Sequence, residues 1–248
     1  MTRIARIVSL AAAVVGLAAP LASAQAQADT RPTVAVLFFN NGSFGKDAKD
    51  YDGLSKGIPD FLITDLSANR GIRVLERDQV QKIVDEQKLV TNGVVDKESA
   101  VKIGKLLGVH HMIFGVFMTD PKGNFRVDAR AVKVETSEIE HVERVDGKGD
   151  DIMTSISTLA SKLNSGMKLP AMTTRRVGDA TPAAAAGEQQ AGTPAATPKL
   201  PMRVAVMYGK ALDSKDHGDK TKAVELFNAV LKEFPEYGPA RTELGKIK

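Results

Sequence analysis

The sequence predicts an α/β fold, a mixed β-sheet covered by helices, followed by a small all-α segment. Three observations lead there. Short continuous apolar runs at Thr33–Phe39 and Met112–Met118 have the character of strands buried on both faces. Stretches with helical periodicity lie between them. Beyond the turn formers Asp120-Pro121-Lys122-Gly123-Asn124, the segment Phe125–Val134 alternates apolar and polar residues. Strands separated by helices favour parallel neighbours, and the later hairpins are antiparallel.

Taken in order, TVAVLFF at Thr33–Phe39 is the first strand. The polar loop Asn40–Asp52 leads into a helix with Leu54, Ile58, Phe61, Leu62 and Leu66 on one side. With Ser55 as its cap, Pro59 falls in the first turn, where amides have no helical partner. Ile72–Leu75 is a second short strand. Asp78 opens a helix whose Val80, Ile83 and Val84 face inward. Asp96 caps a third, with Ala100, Ile103 and Leu107 inward and Gly108 as its stop. After the two strands already named, a tight turn leads to a weaker strand at Glu138–Val145. A helix over Ile152–Met167 carries Ile156, Leu159 and Leu163 on one face.

Composition divides the chain into four segments. Residues 1–28 read as an export signal: Arg3 and Arg6, the apolar stretch Ile7–Leu21, then two small-x-small sites at Ala22-Ser23-Ala24 and Ala26-Gln27-Ala28. The apolar stretch is shorter than the roughly 18 residues a membrane anchor needs. A mature chain beginning at Asp29, with Gln25 the alternative, is therefore expected in the periplasm, with no transmembrane span. Residues 29–170 are the α/β domain. Residues 171–201, rich in Ala, Pro and Thr, read as a flexible linker that buries too little apolar surface to offset its ordering entropy. Helical periodicity returns over residues 202–248.

Chemistry is sparse. The absence of cysteine excludes disulfides, zinc–thiolate sites and thiol catalysis. Without Arg3 and Arg6 the chain has 32 basic and 30 acidic residues, a balance that does not point to nucleic acid. The loop Asn41-Gly42-Ser43-Phe44-Gly45 follows the first strand but lacks the spacing of a phosphate-binding loop. Ser43 has no GxSxG context. His110 and His111 are neighbours on a strand, so they point to opposite faces and do not chelate one metal together; His141 and His217 are isolated. Asp60, Asp65, Asp85 and Glu86 read as solvated helix faces. No catalytic residue, metal site or cofactor is expected, and the chain does not read as an enzyme.

The order of motifs carries more. VAVLFF, Gly57 within SKGIPDFLITDL, RVLERDQVQKIVDEQKL with Glu76-Arg77 and Glu86-Gln87, and AVKIGKLLGVHHMIFGVF with Gly104, Leu107, Gly108 and Gly115 resemble the CsgG family of curli assembly/transport components. Val134-Glu135-Thr136-Ser137-Glu138-Ile139 is similar to that family's phrase vdveTGei. The resemblance covers residues 33 to 167. It implies a fold like the TolB N-terminal domain and a role in secretion or assembly at the outer membrane, through homo-oligomers. Channel members carry an acylated cysteine and insert membrane hairpins. Here there is no cysteine, and the connections Thr119–Asn124 and Glu135–Ser137 have six and three residues against the roughly 20 a hairpin needs. A periplasmic relative that is not itself the pore is expected. Glu76-Arg77 reads either as a buried structural pair or as a partner contact.

The C-terminal segment resembles a tetratricopeptide unit through Tyr208-Gly209, Ala211-Leu212, Gly218-Asp219, Ala223, Phe227 and Pro235. One such unit does not bury its own apolar face. Leu226, Phe227, Val230 and Leu231 are therefore expected to pack on the following helix, a neighbouring subunit or an envelope or secretion partner. Three function classes follow: a non-catalytic assembly protein, a binding module that activates an envelope enzyme such as a peptidoglycan synthase, and a hydrolase with an unseen site.

Overall fold

The computed structural model describes residues 29–88, 94–120, 122–171 and 200–247. The expected export signal and residues 172–199 of the expected linker lie outside them. Five strands form one sheet in the order β2-β1-β3-β4-β5. β1 (Thr33–Asn41) pairs parallel with β2 (Arg73–Val74) and with β3 (His111–Thr119). β4 (Asn124–Lys133) and β5 (Glu138–Lys148) extend the sheet antiparallel from β3. The parallel half arises because α1 (Leu54–Ser67), α2 (Arg77–Gln87) and α3 (Lys97–Leu107) carry the chain back between β1 and β3. The antiparallel half needs only the connections 120–123 and 134–137.

Both sides of β1 and β3 are buried, as their unbroken apolar runs require. Val34, Val36, Phe39, Ile113 and Phe117 join Phe125, Val127, Ala129, Ala131 and Val145 under α1 and α4 (Ile152–Gly166). A bulge between Val36 and Phe39 keeps both on that face although their spacing is odd. Ala35, Leu37, Met112, Phe114, Val132 and Val134 meet Val80 and Val84 of α2 and Ala100, Val101 and Ile103 of α3 on the opposite face.

Local signals behave as their chemistry predicts at α3. Asp96 accepts from the Ser99 amide at 2.8 Å, Ser99 Oγ accepts from the Asp96 amide at 3.1 Å, and Gly108 ends the helix in the left-handed region at φ 65°. At α1 the expectation fails. The helix starts at Leu54 after Gly53, not after a Ser55 cap, so Pro59 lies inside it. The Gly57 amide already bonds the Gly53 carbonyl at 3.0 Å. The early start buries Leu54 completely, and that burial offsets part of the cost of an interior proline.

Leu200 is fully buried in the core although composition places it in a linker. Three helices follow, α5 (Met202–Asp216), α6 (Lys220–Glu233) and α7 (Gly238–Ile247). The described residues from Arg31 onward cluster as one compact unit. The face of α6 that the sequence left open for a partner is largely covered from within. Ala223, Phe227 and Val230 are buried, Leu226 and Leu231 half-buried, and Tyr208 of α5 meets Phe227 with ring centroids 5.7 Å apart.

Candidate interaction site

Two polar constellations stand out, one buried between α1, α2 and the C-terminal helices, the other open on the sheet. The buried one begins with backbone geometry. Gly53 and Gly57, four residues apart at the start of α1, face Ala205 and Gly209, four apart on α5. A Cβ on Gly209 would lie 1.8 Å from the Gly53 carbonyl oxygen, and one on Gly53 would lie 2.2 Å from the Val206 carbonyl oxygen. The helices touch by backbone, which only glycine allows at these points. That approach brings Tyr208 over Phe61, centroids 5.8 Å apart, and its hydroxyl donates to Asp60 Oδ2 at 2.7 Å.

Around this contact lie four cations, Lys56, Arg77, Lys215 and Lys246, and four carboxylates, Asp60, Asp78, Asp216 and Glu243. Arg77 Nη1 donates to Asp216 Oδ2 at 2.6 Å and Nη2 to Asp78 Oδ1 at 2.8 Å, while Nε stands 3.8 Å from Asp60 Oδ1. Lys56 donates to Gln81 at 2.6 Å, lies 3.6 Å from Asp216 and sits 4.8 Å above the Phe38 ring. Lys215 bridges Asp78 at 2.8 Å and Glu243 at 2.6 Å, and Lys246 donates to Glu243 at 2.7 Å.

Burial and charge pull against each other here. Burial lowers the pKa of Lys56 against the pull of Asp216. Burial raises that of Asp60, although Tyr208 and Arg77 oppose the rise. Burial also works against the Arg77 charge, but the hydrogen bond and charge of Asp216, with Asp78 and Asp60, outweigh it and hold the guanidinium firmly protonated. For Asp78 burial is overcome by Lys215 and Arg77, and its pKa falls. Such a lattice holds elements in register; the cavity touching Lys56, Arg77 and Gln81 measures about 10 Å³, room for one water and no substrate. An open groove of about 280 Å³ runs beside it between α2 and α5, lined by Asp78, Gln81, Lys82, Asp85, Glu86, Lys215 and Asp216.

The open constellation occupies the end of the sheet that α2 and α3 leave uncovered. There Arg126 grips Asp128 with two bonds at 2.8 and 2.9 Å, and Arg144 lies 3.7 Å from both Asp128 and Asp146. Exposed Arg130 stands directly across from Val142, itself 58% exposed. Two further apolar residues are exposed, Ile139 at 44% near the start of β5 and Leu106 at 50% on α3.

The residues singled out by sequence scatter. Of the pair Glu76-Arg77, Arg77 is buried and structural, whereas Glu76 is exposed just before α2. His110 bonds Thr33 at 2.7 Å and His111 pairs with Glu140; no group of three or more metal-ligating side chains occurs among the described residues. Ser43 is tied to Thr119, 3.0 Å from its hydroxyl and from its amide, so the loop after β1 continues along β3. Asp60 and Asp65 depart from the expected solvated faces: burial raises both pKa values, and Asp65 accepts from Ser157 at 2.7 Å. Gly115 has a packing role, since a Cβ there would meet the Asp128 carbonyl at 2.2 Å and the Phe39 ring at 2.6 Å. Ser137, where the related phrase has glycine, adopts φ 61°. Sequence reasoning missed Asp216, Lys215 and Glu243. No local signal marks them, because Arg77 and Asp216 are 139 positions apart.

The family model of the curli production assembly/transport component CsgG matches residues 18–119, from the N-terminal segment through β3; it takes in the motifs up to Gly115 and ends short of the Val134–Ile139 phrase and of residue 167, to which the resemblance read from the sequence extends. Among solved structures, TolB from Acinetobacter baumannii aligns at 13% identity and TM-score 0.38, covering 56% of this chain and 29% of that one. The LpoB C-terminal domain from Escherichia coli aligns at 14% identity and TM-score 0.36, covering 47% and 82%. The PelC dodecamer from Paraburkholderia phytofirmans aligns at 11% identity and TM-score 0.36, covering 56% and 89%. Comparison with curated proteins gives no match. No helix among the described residues is long and apolar enough to cross a membrane.

Proposed function

We propose that this chain is a non-catalytic periplasmic protein of the CsgG type, supporting secretion or assembly at the outer membrane through protein–protein contacts as a homo-oligomer. The observation that carries the reading is the CsgG match over residues 18–119. Two features of the fold support it. The residues that carry the motif resemblance, Gly57, Arg77 and Gly115 among them, serve helix packing, a buried ion lattice and close strand contact rather than a substrate cavity. The connections 120–123 and 134–137 are four residues each, far short of the roughly 20 needed for a membrane hairpin, so the chain acts beside a pore rather than as one.

The C-terminal helices enter this reading differently from the sequence expectation. Their apolar face is largely used internally, so a partner meets their outer surface or the open end of the sheet. The test is affinity isolation from periplasm after crosslinking, with the mass of the native complex recorded. Recovery of outer-membrane or secretion components supports the reading. Recovery of a peptidoglycan synthase alone, with its activity raised by the purified protein, replaces it with the regulatory alternative.

A further inference from the structure

β5 is the last strand of the sheet, eleven residues long, and no strand lies beyond it among the described residues. The Gly149 amide donates to the Gly123 carbonyl at 2.9 Å, and the register Phe125↔Gly147, Val127↔Val145, Ala129↔Glu143 continues from there. In an antiparallel ladder, alternate residues turn their backbone groups to opposite neighbours. Odd-numbered residues of β5 over 143–147 therefore bond β4, and Val142, Arg144, Asp146 and Lys148 turn their amides and carbonyls to the open edge, where the Arg144 amide donates at 3.3 Å to Glu143 Oε1, a bond that pairing would exchange. Their side chains stand on the uncovered face of the sheet. Those of Arg144 and Asp146 are 49% and 69% exposed. Toward the start of the strand the register shifts opposite Ala131/Val132, which limits a straight ladder to residues 142–148.

We propose that this edge pairs antiparallel with β5 of a second copy, about a two-fold axis at Val145. Charge and length of overlap together select one register. With Val145 opposite itself, Arg144 faces Asp146 of the other copy twice over, Val142 lies against the Lys148 stem, and Glu143 faces Gly147. Sliding the pairing by one step toward the start of the strand sets Arg144 against Arg144. A second step sets Glu143 against Glu143, and a step the other way sets Asp146 against Asp146 and Arg144 against Lys148. Like charges directly opposite are destabilising and opposite charges favourable. Among alignments that pair five or more of residues 142–148, the strand is therefore complementary to itself in one; the axis at Gly147, which sets Asp146 against Lys148, pairs only three. An isologous contact of this kind closes at two copies. The seven residues of 142–148 contributed by each copy are fewer than the roughly 20–30 of a stable interface, so the dimer is concentration-dependent. The pairing deepens the reading of the protein as a self-associating component and rests on it.

Sedimentation velocity over a concentration series tests the pairing. Wild type is expected to pass from monomer to twice its mass. Val142→Pro, which removes an outward amide at a position where an edge strand tolerates proline, is expected to stay monomeric with an unchanged thermal melt. Arg144→Asp and Asp146→Arg each create like-charge oppositions and are expected to weaken self-association about tenfold or more. The first variant is acidic at both positions and the second basic at both. A mixed pair of the two therefore restores opposite charges at both contacts, and the mixture is expected to recover the dimer. This arm holds even if the proline variant misfolds. A wild type that remains monomeric throughout, or a mixture no more associated than its components, overturns the pairing. A larger ring whose mass survives all three substitutions also overturns it, while leaving the assembly reading intact.

Discussion

Arg77–Asp216 and Arg126–Asp128 are the same chemistry in two regions of one molecule. In the first the side chains are 8% and 6% exposed, and the guanidinium joins α2 to α5 across 139 positions of sequence. In the second they are 38% and 26% exposed, on one strand, two residues apart. The distances are similar, 2.6 and 2.8 Å, so length alone does not separate them. Water does. An exposed pair exchanges solvation for attraction at little net gain. A buried pair has already lost its solvation, and each partner then depends on the other. The ion lattice beneath the C-terminal helices is therefore a requirement of the fold once those helices dock, whereas the open sheet end keeps its charges available for another surface.

The largest effect should come from breaking the buried pair. Arg77→Ala leaves Asp216 and Asp60 without their main cation and is expected to cost about 3–5 kcal/mol, read as a drop in the urea midpoint. If the loss is no larger than for a surface residue, the lattice is more hydrated than its burial implies. Next comes Gly209→Ala, which separates packing from charge. Its Cβ would sit on the Gly53 carbonyl, so α5 must withdraw from α1 at a cost of about 1–3 kcal/mol. Faster amide exchange should then be confined largely to α5–α7.

A third test uses pH. Burial raises the pKa of Asp60 above its ordinary 3.8. Between that value and the raised one, the folded state holds more protons than the unfolded state, so this group adds stability as pH falls through the folded pKa. Asp60→Asn keeps the Tyr208 hydrogen bond without the buried charge. It is expected to exceed wild type most at neutral pH, with the advantage fading on acidification. A gap that does not change with pH removes Asp60 from the account. The smallest effect is the control: Arg126→Ala should leave the thermal midpoint unchanged within error, and a clear loss would erase the contrast between the two pairs.

Much of the fold was legible because its signals are local. Continuous apolar runs marked β1 and β3, alternation marked β4, and Asp96 with Gly108 bounded α3. The start of α1 was misread because Ser55 is a good cap in isolation; the burial of Leu54 and the contact with α5 favour the earlier start. The apolar stripe of α6 was visible, but what covers it was not. The open constellation was half legible: Arg126 and Asp128 were seen to alternate, while their alignment with Arg144 and Asp146 needed the β4–β5 register.

By itself the sequence determined the identity and order of most elements, the mixed character of the sheet and the resemblance to the CsgG family. These depend on side-chain periodicity, backbone preference and short turns, whose physics spans only a few residues. Tertiary structure alone decided that Gly53 and Gly57 meet Gly209, that Arg77 finds Asp216, and that the C-terminal helices complete the core. The reason is that a glycine permits close approach without specifying what approaches, and a charged side chain carries no mark of its partner. Those choices are made when the helices pack, desolvating every charge between them at once and leaving stable only an arrangement in which each finds its opposite.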